Sequence, residues 1–244
     1  MYGLILYTFF MNEKNTAVSY WRLRQLIGVF GILLAFLSIL TGLLGGADNP
    51  PHWWSSISAT YYSNAAPVMV GLLVCVGMFL TTYDAYDTVD AVVSTVSGIS
   101  SVCIAFFPCR LEALEGSRVG VFHLPVSVSQ PIHSIAAVTF FLLLACMSIF
   151  LFTRTGGNVT DRKKIRNTIY LICGWTIIAA LSADGILAAL YANNVLGNGK
   201  GKYAFEYTAW GISLEAVMLI AFGVSWLTKG GLIKPDMQSA ENHL

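Results

Sequence analysis

The feature that most limits what this chain can fold into is a set of six long apolar runs, at residues 26–44, 61–82, 89–107, 132–152, 169–191 and 207–228. Crossing a hydrocarbon core about 30 Å thick takes about 20 mostly apolar residues at a helical rise of about 1.5 Å each, and every run has roughly that length. In lipid each backbone N–H and C=O must find its partner inside the protein, which leaves helices or a closed barrel. A barrel would show segments of about 10 residues alternating apolar and polar, whereas these runs are continuous and rich in Leu, Ile and Ala. The expected fold is therefore all-α, a polytopic membrane bundle of six transmembrane helices, with the clearly apolar part of the second run beginning at Pro67. Only 11% of the 244 residues are charged and 56% are hydrophobic. An ordinary soluble domain carries about 25% charged residues, so a soluble enzyme is excluded.

Basic residues in the connections predict the orientation, because Lys and Arg are held back on the cytoplasmic side during insertion. With both termini cytoplasmic, the inner segments hold Lys14, Arg22, Arg24, Arg154, Arg162, Lys163, Lys164, Arg166, Lys229 and Lys234, ten of the 14. The outer loops keep Arg110, Arg118, Lys200 and Lys202. Aromatic residues expected at the two interfaces agree: Tyr20, Trp21, Tyr83 and Trp226 fall at inner ends, and Trp53, Trp54, Tyr61, Tyr62 and Trp210 at outer ends. The chain divides into a cytoplasmic segment over 1–24, the six-helix domain over 25–230 and a cytoplasmic tail over 231–244. The expected location is the plasma, or inner, membrane.

The first ten residues are apolar but too short to span and lack a basic start, so they do not read as a signal peptide. Met11 opens a polar stretch, Asn12 to Thr16, with the character of a natural amino terminus. On that reading Met1 to Phe10 is a start-codon misassignment; the alternative is an interfacial anchor. The five cysteines, Cys75, Cys103, Cys109, Cys146 and Cys173, show no ligand spacing. Only Cys109 reaches the outer side, without a disulfide partner, and the rest read as small core residues.

Helices in lipid gain little from hydrophobic burial against one another, so close packing through small residues must contribute. Gly28, Gly31, Ala35, Ser38 and Gly42 recur at steps of three and four along one face of the first helix. Ser94, Ser97, Ser101 and Ala105, with Gly98 beside them, form a second such stripe on the third. These stripes predict tight helix pairs, with serine hydroxyls donating to backbone carbonyls; the alternative is a polar lining to a path through the bundle.

Charges within the bilayer cost about 2.5 to 3.5 kcal/mol on insertion scales, so each requires an account. Asp184 lies about 22 Å along the fifth run from its inner end, and Glu215 about 12 Å along the sixth from its outer end. Both are in the outer half, where His133 begins the fourth run and His52, His123, Glu206 and the serines around residue 56 lie in loops or helix mouths. The candidate binding residues are Ser56, Ser58, Tyr61, Tyr62, His133, Asp184 and Glu215. A second candidate surface, Arg154, Arg162, Lys163, Lys164 and Arg166, would contact anionic lipid headgroups. No catalytic or metal-ligating set is identified.

Several short stretches carry a resemblance. Ser19-Tyr20, Leu23-Arg24 and Ile27-Gly28 are followed by Ser56-Ile57-Ser58-Ala59, Tyr61-Tyr62 and Phe107-Pro108. Phe150-Leu151-Phe152-Thr153, Arg166-Asn167, Tyr170, Cys173-Gly174, Leu214-Glu215-Ala216, Phe222-Gly223 and the run from Ser225 to Gly230 complete it. Over Ser19 to Gly230 the chain resembles a family of uncharacterised prokaryotic six-helix membrane proteins loosely grouped with the DRAM/Frag/Sfk membrane family. The resemblance implies a fold and no enzymatic activity, and it supports Ser56, Ser58, Tyr61, Tyr62, His133 and Glu215 as a shared outer pocket. Family members often carry an acid after the tyrosine pair, where this chain has Ala65-Ala66-Pro67.

The functional expectation is a non-enzymatic multi-pass membrane protein with an outer-leaflet polar pocket for a lipid or small solute. A small transporter or proton-coupled carrier using Asp184 and Glu215 is the alternative. A metal-dependent lipid hydrolase of the alkaline ceramidase or progestin-receptor-like kind would need paired histidines on a late helix, where this chain has Gly211-Ile212-Ser213-Leu214-Glu215. No cofactor is expected. The expected partners are membrane lipids and a small solute, and a net charge of +1 gives no basic excess for nucleic acid. Oligomeric state is left open.

Overall fold

The computed structural model describes residues 2–45, 53–83, 87–155, 160–196 and 199–232, with side chains described from residue 20 onward. It is 79% helical. Six α-helices are described: α1 over Tyr2–Leu44, α2 over Ala66–Thr81, α3 over Thr88–Phe106, α4 over Val126–Cys146, α5 over Asp161–Ala192 and α6 over Trp210–Lys229. Five are long and apolar enough to cross a membrane: α1 from Tyr20 onward, α3, α4 with its continuation to Leu151, α5 and α6. The chain is thus a nearly all-α, multi-pass membrane protein. The shorter α2 has 16 residues.

Helix boundaries differ from the apolar runs for local reasons. The second run, expected from residue 61, is divided into a 3-10 turn at Ser58–Tyr62 and the helix from Ala66. Pro67 lies in the first turn of α2, where a missing N–H leaves no broken bond, and so marks a start. α1 is one continuous helix that passes through Met11. α4 begins six residues before the run at 132, taking Pro131 into its second turn, and ends in a single π turn at Met147–Leu151. Side chains cap two starts: Asp87 accepts from the Asp90 amide at 2.8 Å, and Thr160 from the Lys163 amide at 3.2 Å.

Consecutive helices pack side by side, and α6 closes back on α1, making a ring in sequence order. Two close approaches set this ring. On α1 a Cβ at Gly28 would lie 2.8 Å from the Gly223 carbonyl oxygen of α6, and on α2 a Cβ at Gly77 would lie 2.8 Å from the Gly98 carbonyl of α3. The serine stripe of α3 is fully buried and turned to α2: Ser101 Oγ donates to the Leu73 carbonyl at 2.8 Å, and Ser94 Oγ to that of Leu80. The packing reading of both stripes is what the helices display. Inside the ring, Phe140, Phe222, Trp226 and Met147 are buried, and the Ser148 and Ser225 hydroxyls join α4 to α6 at 2.7 Å.

The ring has two dissimilar ends. The loop end holds the 3-10 turns at Trp53–Ser55, Ser58–Tyr62, Glu112–Leu114 and Gly201–Tyr207, with a two-stranded hairpin pairing Arg118 with Pro125 and Val119 with Leu124. The connection from Phe107 to Pro131 thus holds a 3-10 turn, the hairpin and the first turns of α4. The basic end holds Tyr83 and Asp87, Phe152 and Thr160, and Gly230.

Candidate functional site

A cavity of about 250 Å³ opens at the loop end. The connection after α1 reaches it first. Ser56 Oγ accepts from the Ala59 amide at 2.8 Å, which starts the 3-10 turn and directs the Ser58 amide inward, where it donates to Glu215 Oε2 at 3.0 Å. The close approach of α6 to this segment depends on Gly211, whose missing side chain leaves room for the Ser55 carbonyl. Glu215 and Asp184, on adjacent helices, both line the cavity and interact electrostatically.

His133 also lines this cavity. Its Nδ1 lies 2.8 Å from the Phe107 carbonyl, and because that oxygen can only accept, Nδ1 carries the proton and Nε2 is left as an acceptor. Its neighbour Gln130 accepts from the Arg110 amide at 2.6 Å, and Ser129 donates to the Pro108 carbonyl at 2.8 Å. The start of α4 is thereby fastened to the end of α3.

The floor of the loop end supplies a third acid. Glu206 Oε2 accepts from the Glu112 amide at 2.9 Å, and Oε1 lies 3.9 Å from Arg110 Nε. Burial pushes the Glu206 carboxyl up to about 7, only partly offset by the Glu112 amide bond and the Arg110 charge. Burial also raises the Cys109 thiol, and the charges of Glu215 and Glu206 add to it. Tyr207 donates to Glu112, and Lys202 reaches Glu115 at 2.6 Å. That ammonium holds Glu115 below the usual carboxylate range.

Two carboxylate oxygens in this cavity lining are buried with no hydrogen-bond partner, Asp184 Oδ1 and Glu206 Oε1. Among charged side chains the lining has Asp184, Glu206 and Glu215 against Arg110 and Lys202. The arrangement therefore offers acceptors to an incoming donor. Among the described residues no group of three His, Cys, Asp or Glu side chains could hold a metal ion.

Of the residues singled out by sequence, Ser56, Ser58, His133, Asp184 and Glu215 meet at this cavity. Tyr61 and Tyr62 do not line it. Tyr62 donates to the Cys109 carbonyl at 2.6 Å and packs edge-on against Tyr61, with ring centroids 5.2 Å apart. His123 is exposed on the hairpin, and His52 lies outside the described residues. Arg110, Gln130 and Lys202 were missed as lining groups. Their only sequence signal is polarity next to the ends of apolar runs, which many loop residues share.

The second candidate surface is distributed differently. Arg154 forms ion pairs with Asp87 at 2.7 Å and Asp90 at 3.1 Å. Lys163 donates to the Phe152 carbonyl at 2.9 Å, Lys164 pairs with Asp161 at 2.9 Å, Arg162 is exposed and Arg166 is buried. Arg154, Lys163 and Arg166 surround a separate cavity at the basic end, whereas Arg162 and Lys164 do not.

Comparison with known protein families, with curated proteins and with solved structures finds no match to this chain.

Proposed function

We propose that this multi-pass membrane protein binds a small amine-bearing solute in the loop-end cavity. The carrying observation is the pair of buried carboxylate oxygens without a hydrogen bond, Asp184 Oδ1 and Glu206 Oε1, in the lining of a roughly 250 Å³ cavity. A buried acceptor without a donor costs about 1 to 3 kcal/mol, and an ammonium group bound there would supply the missing hydrogen bonds and oppose the acidic charge. The Ser58 amide holds Glu215 in place while Asp184 stays available.

The reading includes six spans with both termini in the cytoplasm of a prokaryotic cell, in its inner membrane, so that the cavity faces outward. What supports this is the ten-to-four division of basic residues and the packing of α2 between α1 and α3. At 16 residues α2 is about 24 Å long, and the adjoining 3-10 turn extends the same segment. Membership of the DRAM/Frag/Sfk-like six-helix group is part of the proposal and rests on the motifs quoted above.

The test is thermal unfolding of the detergent-purified chain with ethanolamine or putrescine, and with ethylene glycol as a neutral control. The amines should raise the melting temperature, the glycol should not, and Asp184→Asn should remove the amine effect. A ligand at 100 times its Kd adds about 2.7 kcal/mol to stability, a shift that such a measurement reads. Equal responses to amine and glycol would remove the proposal. A proton-coupled carrier is a second reading, favoured by the presence of Asp184 and Glu215 in one cavity lining. Uptake of ethanolamine into proteoliposomes driven by a pH gradient separates carrier from binder.

A further inference from the structure

α4 and α5 touch toward the basic end and part toward the loop end. The contact depends on Gly174 of α5, where a Cβ would run into Ile149 of the π turn and lie 3.2 Å from the Ala145 carbonyl oxygen of α4. Closer to the loop end the facing residues line the cavity instead, Ala137, Val138 and Phe141 from α4 and Leu181 and Asp184 from α5. Steps of three and four put each set on one side of its helix. A Cβ on Gly185, beside Asp184, would meet nothing within 4 Å. The loop-end cavity therefore occupies a wedge between these two helices.

The wedge is polar at one end and apolar at the other. Arg110, Gln130 and Lys202 line it toward the loops, whereas Phe141 and Met218, 7% and 1% exposed, close its inner end. Its side reaches the outer surface of the ring, because the lining residue Val138 is 45% exposed. Val138 lies about 18 Å along α4 from the loop-end start of that helix. In a multi-pass membrane protein the outer surface at that depth faces hydrocarbon, so this side of the cavity borders lipid. An acid beside an apolar wall suits a molecule with a charged head and an alkyl chain, since each part meets a lining of its own kind.

We propose that the loop-end cavity takes an amphiphilic amine entering from the lipid between α4 and α5, its ammonium group at Asp184 and its alkyl chain along Ala137, Val138, Phe141 and Leu181. This rests on the amine reading of the cavity and adds to it the class of molecule and the route of entry. Asp184 is the acid placed for such a head group. It stands on the wall of the wedge one turn from Leu181, and its Oδ1 makes no hydrogen bond. Glu215 already accepts from the Ser58 amide, and Glu206 from that of Glu112. A chain in the wedge gains dispersion contacts with the apolar walls, which a small polar solute does not supply.

The test compares hexylamine with ethanolamine, and with hexanol as the neutral chain, by thermal unfolding and calorimetric titration of the detergent-purified full chain. Each methylene removed from water strengthens binding by about fourfold, so hexylamine should bind tighter than ethanolamine by about tenfold or more even after losses to the micelle. Hexanol should bind more weakly than hexylamine. Val138→Trp, which fills the side opening, should bring the two amines to similar affinity. Ile135→Trp, on the exposed face of α4 outside the lining, should keep the wild-type ratio. Hexylamine partitions into the micelle alike for every variant, so a change in that ratio belongs to the wedge. Should Val138→Trp fail to fold, Leu181→Trp on the opposite wall supplies the comparison. In phosphatidylcholine nanodiscs, competition of added phosphatidylethanolamine with hexylamine assigns the head group to a bilayer lipid, and no competition assigns it to a free single-chain amine. If ethanolamine stabilises but hexylamine binds no tighter, or if Ile135→Trp changes the ratio as much as Val138→Trp, the amphiphile is overturned while the amine reading stands. Failure of both amines overturns the two together.

Discussion

The loop-end cavity and the basic-end cavity solve opposite electrostatic problems with opposite means. At the basic end one arginine takes two acids, since Arg154 spans Asp87 and Asp90, while Arg24 donates to the Tyr83 hydroxyl and Lys163 to the Phe152 carbonyl. At the loop end backbone amides donate to two of the acids, Ser58 to Glu215 and Glu112 to Glu206, and two carboxylate oxygens, Asp184 Oδ1 and Glu206 Oε1, make no hydrogen bond. An amide donor fixes a carboxylate without neutralising it, just as a hydroxyl or ring face fixes a cation. The difference teaches that buried acids can be fixed by different partners, backbone amides for Glu215 and Glu206 at the loop end and an arginine for Asp90 at the basic end.

The sharpest way to break this contrast is Arg154→Met. Asp90 is only 5% exposed, and losing the counter-charge of a buried acid costs about 3 to 5 kcal/mol when the pair is fully buried. Arg154 itself is 48% exposed, so solvent screening reduces the expected loss to about 2 kcal/mol. Thermal unfolding in detergent measures it, and adding Asp90→Asn should recover most of the loss. A single variant as stable as wild type would mean that the acids need no clamp.

At the other end, Glu215→Leu should cost about 1 to 2 kcal/mol, because the Ser58 amide loses its acceptor. Glu215→Gln keeps a carbonyl oxygen in place and should stay near wild type. If the two variants melt alike, the amide restraint is not what holds this segment against α6.

A smaller effect is expected from pH. Burial favours the neutral form of Glu206 and raises its pKa to about 7, whereas in the unfolded chain a glutamate ionises near pH 4.3. The folded state thus holds this proton more tightly. Its contribution to stability is complete below the unfolded value and declines as pH rises through about 7. Melting curves from pH 5 to 8 should fall more steeply for wild type than for Glu206→Gln, and parallel curves would show that Glu206 does not titrate in this window.

The smallest effect belongs to Asp184→Leu. Its Oδ1 has no hydrogen-bond partner to lose, so stability should stay level or rise by up to about 1 kcal/mol. A large loss, read in the same melts, would mean that Asp184 belongs with the restrained acids.

The sequence by itself determined that this is a multi-pass helical membrane protein, because apolar runs of this length and continuity have few other outcomes in water or lipid. It also determined the packing faces of α1 and α3, since small residues at steps of three and four fall on one side of any α-helix. Glu215 and Ser58 could be suspected of meeting, as Glu215 lies in the outer half of the sixth run and Ser58 in the outer connection before the second. Only the tertiary structure decided that α6 closes on α1, which brings Arg24 and Lys229 beside Arg166 from three separate helices. It likewise turned Tyr62 away to the Cys109 carbonyl and drew Arg110 and Gln130 into the lining instead. The physical reason is that helical periodicity specifies which residues share a face but not which neighbour that face meets. Packing across the whole ring makes that choice, and both cavities are consequences of it.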